Sequence, residues 1–288
     1  MQKFQGMLFV VISAIAFGAI PVFARAAYHA GSDPITVLFF RFSIASIIMI
    51  PSMMVRKISF PRGRFLIGLI LMGGIGYVGQ SFCYFTALTM ASAGLVAILL
   101  YLYPAIVTIL SALLLKERIT GLKVLALLLA LTGTVLTIGL GGGGSLLGIV
   151  LAMIAPFIYS AYILTGTKIT KQVGVLSSST VVMISASLVF GGFIAIKGLN
   201  IPQTWVGWGG VFAIALLSTV IAIITFFAGL KRIGPTNTSM LSTFEPITTV
   251  VLAAIVFGEE IGLMRILGGV LILIAVILLA KSEFKGNH

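Results

Sequence analysis

Residues 103–120, YPAIVTILSALLLKERIT, and residues 245–262, EPITTVVLAAIVFGEEIG, lie 142 positions apart and superimpose without a gap. Pro104 falls on Pro246, Glu117 on Glu259 and Ile119 on Ile261. Coincidences such as Leu110 with Leu252 are cheap in apolar sequence, but matched Pro and Glu at one fixed offset are not. The same shift lays Gly6 on Gly148 and Leu88 on Leu230, so the correspondence runs well beyond the two segments. A chain that repeats itself at this spacing reads as two like halves.

Outward from these segments the chain is almost wholly apolar. Of its 288 residues, 60% are hydrophobic and 8% charged, against about 25% charged in a soluble domain. Too few charges remain to build a water-exposed surface, which excludes a soluble enzyme. A bilayer core about 30 Å thick needs roughly 20 apolar residues per helix. Runs of that length fall near 6–27, 34–55, 65–87, 92–115, 120–139, 146–166, 176–196, 206–229, 235–257 and 262–280. The expectation is an all-α integral membrane protein with ten transmembrane helices. The first run is too long for a cleaved signal and reads as a span. The single cysteine, Cys83, leaves no internal disulfide or cysteine metal site to form.

Lys and Arg total 18 and Asp and Glu 6, a net charge of +12. These charges cluster between apolar runs, which suits loops facing an anionic leaflet rather than nucleic acid. With ten spans, one set of loops holds Lys3, Arg56, Lys57, Arg62, Arg64, Lys116, Arg118, Lys123, Lys168, Lys171, Lys231, Arg232, Lys281 and Lys285. The other set holds Arg25, Lys197 and Arg265. Lys and Arg concentrate on the cytoplasmic side, so both termini are expected inside the cytoplasmic membrane. Five spans per half is an odd number, so the second half would enter the membrane upside down. Consistently, the basic cluster Arg56 to Arg64 maps onto residues 198–206, which carry no charge. The expected organisation is two inverted repeats, 1–139 and 148–288, joined by a Gly-rich linker at 140–147.

Two five-helix units, each with a Pro-containing fourth helix ending in a Glu loop, resemble the EamA-type transporters of the drug/metabolite transporter superfamily. Pro34 followed seven residues later by Arg41 is similar to the family's second helix. Phe17-Gly18 stands where many members have Trp-Gly, and Lys116 precedes the first loop Glu where Gly is usual. The second half carries Met183 where the first has Arg41. The resemblance implies ten helices, a multi-pass location and transport of a small molecule.

Several motifs have plainer readings. Gly74-Ile75-Gly76-Tyr77-Val78-Gly79 spells a dinucleotide fingerprint but lies inside a span, where small residues serve close helix packing. Asn237-Thr238-Ser239 spells a glycosylation site at the cytoplasmic start of a span. His29 and His288 lie outside the spans, and no Ser–His–Asp set, HExxH or Walker motif can be assembled. No enzyme and no cofactor is therefore expected. Trp205 and Trp208 read as interface anchors. Glu117, Glu259 and Glu260 read as solvated helix ends.

The candidate site rests on two charges within spans. Glu245 sits about 15 Å and Arg41 about 10 Å deep by the helical rise. An unpaired charge at such depth costs at least about 2.5–3.5 kcal/mol, so each should face a wet cavity or a partner. Glu245 could alternatively be structural, and Arg41 could snorkel outward. Their depths differ by only about 5 Å, within reach of an extended Arg side chain, so the two are expected to pair. Thr238, Ser242, Glu245 and Thr249 share one helical stripe, as do Tyr77, Gln80 and Tyr84. Span four adds Tyr101 and Tyr103 and span six adds Tyr159 and Tyr162, with Tyr84 and Tyr101 offering aromatic faces for a cation or ring, although belts of interfacial tyrosine are common. The substrate-binding set is Glu245, Arg41, Gln80, Tyr84, Tyr101, Tyr103, Tyr159, Ser242 and Thr249. The expected activity is secondary transport, in the export direction, of a small organic metabolite such as an amino acid or nucleoside, with protons as candidate coupling ion. A channel, a facilitative pore or a lipid-handling protein is the alternative.

Overall fold

A computed structural model describes residues 2–88, 90–91, 93–139, 143–258 and 260–285. Leu140, Gly141 and Gly142 of the expected linker, together with Glu259 and His288, lie outside the described residues. Apart from an isolated extended pair, Ala91 and Gly144, the regular structure among the described residues is helical. The order is α1 (Gln2–Gly18), α2 (Ile20–His29), α3 (Pro34–Val55), α4 (Arg64–Leu71), α5 (Val78–Leu88), α6 (Ala93–Leu100) and α7 (Tyr103–Leu115). It continues with α8 (Gly121–Ile138), α9 (Leu146–Val173), α10 (Val175–Lys197), α11 (Trp205–Ala215), α12 (Ala222–Leu241), α13 (Glu245–Phe257) and α14 (Leu263–Lys285).

Nine stretches among the described residues are long and apolar enough to cross a membrane. The longest, Trp205–Phe257, runs 53 residues, more than twice what one crossing needs. It breaks at Gly234, whose φ of 79° and ψ of 174° leave the helix just before Pro235. Other interruptions follow the prolines. Proline lacks the N–H that bonds four residues back, and its ring crowds that carbonyl. The chain accordingly kinks at Ala19 ahead of Pro21, at Tyr101 and Leu102 ahead of Pro104, and in a 3₁₀ turn, Ser242–Phe244, ahead of Pro246. α7 and α13 each run 13 residues, begin 142 apart and end on a left-handed residue, Lys116 and Gly258.

Wide π-turns at Met72–Tyr77 and Leu216–Ile221 interrupt the helices at α4–α5 and α11–α12. The first covers the fingerprint-like glycines, and its packing there is close as expected. A Cβ on Gly73 would strike the Val182 carbonyl of α10, whereas one on Gly74 would find ordinary contact. The core runs through Phe42, Tyr77, Tyr103, Tyr162, Phe190 and Phe227. Outward faces carry Ile47, Met54, Leu113, Ile196 and Ile255, an apolar surface suited to lipid. Trp205 stands on that surface, but Trp208 packs edge-on to Phe40 at 5.1 Å and belongs partly to the interior.

Candidate functional site

A cavity of about 390 Å³ lies between the two halves of the sequence. That size is sufficient for a small metabolite. The kink at Ala19 turns α2 away from α1 and makes one wall of Phe17, Gly18, Pro21, Ala24, Arg25 and Tyr28. Opposite stand Tyr77, Gln80, Ser81, Tyr84 and Phe85, three or four residues apart on the π-turn and α5, with Arg41 from α3 beside them. The break before Pro104 presents Tyr101 and Tyr103, and α9 contributes Tyr159. Glu245 and Thr249, one turn apart on α13, complete the lining.

Eight of the nine residues chosen from the sequence therefore meet at one cavity. Ser242 does not, and the helical stripe that included it is corrected. Pro246 cannot donate to the carbonyl of Ser242, the chain tightens into the 3₁₀ turn, and the Ser242 hydroxyl bonds back to Thr238 O at 3.0 Å. Thr238 likewise returns to Gly234 O, at 2.7 Å. Phe17, Arg25, Tyr28, Tyr77 and Ser81 were not chosen. Pro21 inside the first apolar run was the available signal for the α2 wall, and Tyr77 already shared its face with Gln80.

Glu245 is partly buried at the start of α13, and Tyr101 donates to its Oε2 at 3.3 Å. No other donor and no cation reaches this carboxylate among the described residues. The expected pairing with Arg41 is absent because the guanidinium is engaged elsewhere. Arg41 Nε donates to Thr219 Oγ1 at 2.7 Å, and Nη2 donates to Tyr77 OH at 2.9 Å and Ser218 O at 3.2 Å. These partners come from both π-turns, whose i+5 spacing leaves a carbonyl free to accept such a donor. Arg41 is 5% exposed, so it does not snorkel. Thr249 Oγ1 donates to Gly18 O at 2.8 Å, where a Cβ on Gly18 would strike the Glu245 carbonyl. α1 thus lies backbone to backbone with the helix that carries the acid.

Aromatic rings form the floor. Tyr101 lies 6.3 Å from Tyr103, Tyr103 stands edge-on to Tyr159 at 4.8 Å, and Tyr159 stacks on Tyr162 at 6.0 Å. Tyr103 is 2% exposed, and its hydroxyl faces the Ser242 side chain, which lies behind it rather than on the cavity wall. The chemistry available is one carboxylate, the guanidinium groups of Arg25 and Arg41, aromatic faces and a few amide and hydroxyl groups. Such a lining suits an organic molecule, and among the described residues it brings together no acid–base pair of the kind that bond making uses.

Known proteins resemble this chain over most of its length. The sequence profile of the EamA-like transporter family matches twice, over residues 4–139 and 146–281. The uncharacterized transporter YcbK of Bacillus subtilis (strain 168) is 26% identical, with 91% of this chain and 88% of that protein aligned. An uncharacterized transporter of Clostridium kluyveri is 25% identical over 98% of this chain and 95% of its own length. The aromatic amino acid exporter YddG of Ancylobacter novellus is 28% identical over 66% of this chain and 68% of that protein. A crystal structure covering 96% of this chain and 98% of its own superposes with a TM-score of 0.86 at 19% identity, which speaks for the fold alone. These relatives are transporters and not enzymes, and the chain belongs to the EamA-like transporter family.

Proposed function

We propose that this protein is a ten-span secondary transporter built from two inverted five-helix repeats with both termini in the cytoplasm, exporting a small aromatic or amine-bearing metabolite. The observation that carries the proposal is the cavity itself, lined from both halves and holding a carboxylate with a single hydrogen-bond donor. An ammonium group would complete the coordination of Glu245, and an aromatic ring would lie against Tyr84, Tyr101 and Tyr159. The exporter name of the Ancylobacter relative points to the same class, aromatic amino acids. Repetition of the break–helix–left-handed end in α7 and α13 supports the duplication, as does the twofold profile match. Tyr103 and the aromatic floor argue against a channel, since a channel needs a continuous path. Protons are the candidate coupling ion, through Glu245. The test is counterflow in proteoliposomes with aromatic amino acids, their decarboxylated amines and nucleosides. Saturable exchange of an amine-bearing aromatic compound is expected. Exchange of none of them, or non-saturating leak, would remove the proposal.

A further inference from the structure

A second cavity, of about 330 Å³, lies at the opposite end of the same helices. Its lining is Leu115 and Glu117 at the end of α7, Thr167, Lys168 and Lys171 on α9, and Gly234 and Pro235 at the break in α12. α9 contributes Tyr159 to the first cavity and Thr167 to the second, about 12 Å apart along the helix. α7 contributes Tyr103 and Leu115, about 18 Å apart. Between the cavities stand Tyr103, Tyr162 and Phe227, all buried, with Ser160 Oγ donating to Tyr103 O at 3.4 Å. Two cavities that share walls and are separated by one packed layer form an interrupted path.

One side chain ties the walls of the second cavity together. Lys116 is left-handed, with φ of 54°, and turns the chain so that Glu117 N donates to Ser111 O at 3.2 Å. Glu117 Oε2 then accepts from Thr236 Oγ1 at 2.8 Å, a contact 119 residues apart in sequence, and Oε1 lies 3.5 Å from Lys123 Nζ. Thr236 is fully buried and sits two residues after Gly234, at the break where the second half can hinge. Glu117 is therefore not the solvated helix end expected from its position.

We propose that the second cavity is the far vestibule of the same path and that the Glu117–Thr236 hydrogen bond is the latch that keeps the path closed on this side. The proposal rests on the transporter reading above. Opening toward this side requires the Gly234 segment to part from the end of α7, and the Glu117–Thr236 contact is a charge-assisted bond that crosses that seam.

The test places a single reporter, Thr167→Cys, in a Cys83→Ser background and measures its rate of labelling by a membrane-impermeant maleimide in right-side-out and inside-out vesicles. Ser81→Cys reports the first cavity in parallel. Glu117→Ala and Thr236→Val should each speed labelling at Thr167→Cys by about tenfold from one side only, the scale of one hydrogen bond to a charged group, and slow it at Ser81→Cys. Glu117→Gln keeps a neutral acceptor for Thr236 and should label at a rate between the parent and Glu117→Ala. Unchanged rates in the Ala and Val variants would overturn the latch, as would a Gln variant as open as Ala, which would assign the effect to Lys123. Thr236→Val preserves side-chain shape, so the test does not hang on the tolerance of Glu117. Labelling needs no substrate. Failure to find transported compounds would therefore count against the transporter reading and leave the latch measurement standing.

Discussion

Arg41 Nε donates to Thr219 Oγ1 across 2.7 Å, fastening α3 of the first half to the π-turn of the second. The same guanidinium reaches Tyr77 at the end of the first π-turn, so one side chain spans both widened turns. Its counterpart 142 residues on, Met183, is fully buried and apolar. On that side the contact is made by Gly73 against the Val182 backbone. The two matching seams are thus built differently, one polar beside the cavity and one dry.

Removal of Arg41 follows directly from this geometry. Arg41→Met leaves Tyr77 OH and the Ser218 carbonyl without this donor, while Thr219 Oγ1 keeps its bond to Ile214 O at 2.9 Å, and each unsatisfied buried group costs about 1–3 kcal/mol. Thermal melting in detergent should fall by several degrees. Because Arg41 and Glu245 do not touch, the double variant with Glu245→Gln should show effects that add within about 0.5 kcal/mol. A coupling well above that would mean the ion pair exists after all.

Glu245→Gln keeps shape and can still accept from Tyr101, so the melting temperature should change little while substrate exchange is lost. Tyr101→Phe removes only the donor at 3.3 Å and should weaken binding without abolishing turnover. Proteoliposome exchange measured for both variants separates the two roles. Wild-type exchange by the Gln variant would make Glu245 structural.

Lys116 occupies the left-handed position that Gly258 fills in the other half, with φ of 54° against 68°. A side chain there costs about 1–2 kcal/mol, part of which glycine returns through its freer unfolded chain. Lys116→Gly should therefore raise stability by about 0.5–1 kcal/mol. Gly258→Ala should lower it by a similar amount. Melting curves of the two variants check both signs.

Sidedness is open to labelling. Gly143 is exposed in the segment between the halves, and Lys171 is exposed near the end of α9. In the Cys83→Ser background, Gly143→Cys should label from outside and Lys171→Cys from inside. Labelling of both from one face would break the inverted arrangement.

The apolar runs and the matched Pro and Glu segments made the helical membrane fold readable from sequence, because hydrophobic length and duplication are local signals. Glu245, Tyr101 and Thr249 were readable too, since a charge in a span advertises a cavity. Ser242 misled because helical spacing was carried across Pro246, and the residue's true direction depends on the 3₁₀ turn before it. The π-turns left no legible pattern. They arise where Gly73 and Arg41 meet other helices, a tertiary condition. Arg41 was rightly placed at the cavity but wrongly partnered, as depth in the membrane says nothing about rotation around the helix axis.

Asp33 offers a pH test outside the spans. Its Oδ1 accepts from Thr36 N at 3.0 Å, capping α3, and its Oδ2 accepts from Asn200 Nδ2 at 2.6 Å, tying that cap to the segment after α10. Burial pushes the carboxyl upward, but the Thr36 N–H, the Asn200 amide and nearby Lys197 together outweigh it and hold the group below its usual range. A folded-state value below the unfolded one means that the stabilisation is complete above the unfolded value, about 3.9. It is lost as pH falls through the lower folded value. At neutral pH, Asp33→Ala should cost about 1–2 kcal/mol as a lost cap, while Asp33→Asn should cost less because Asn also caps. The gap between wild type and Asp33→Asn should shrink as pH falls from about 4 through the lower folded value, beneath which both side chains are neutral. Melting in detergent from pH 7 downward measures that gap, and a gap independent of pH would show that the charge on Asp33 contributes nothing to this junction.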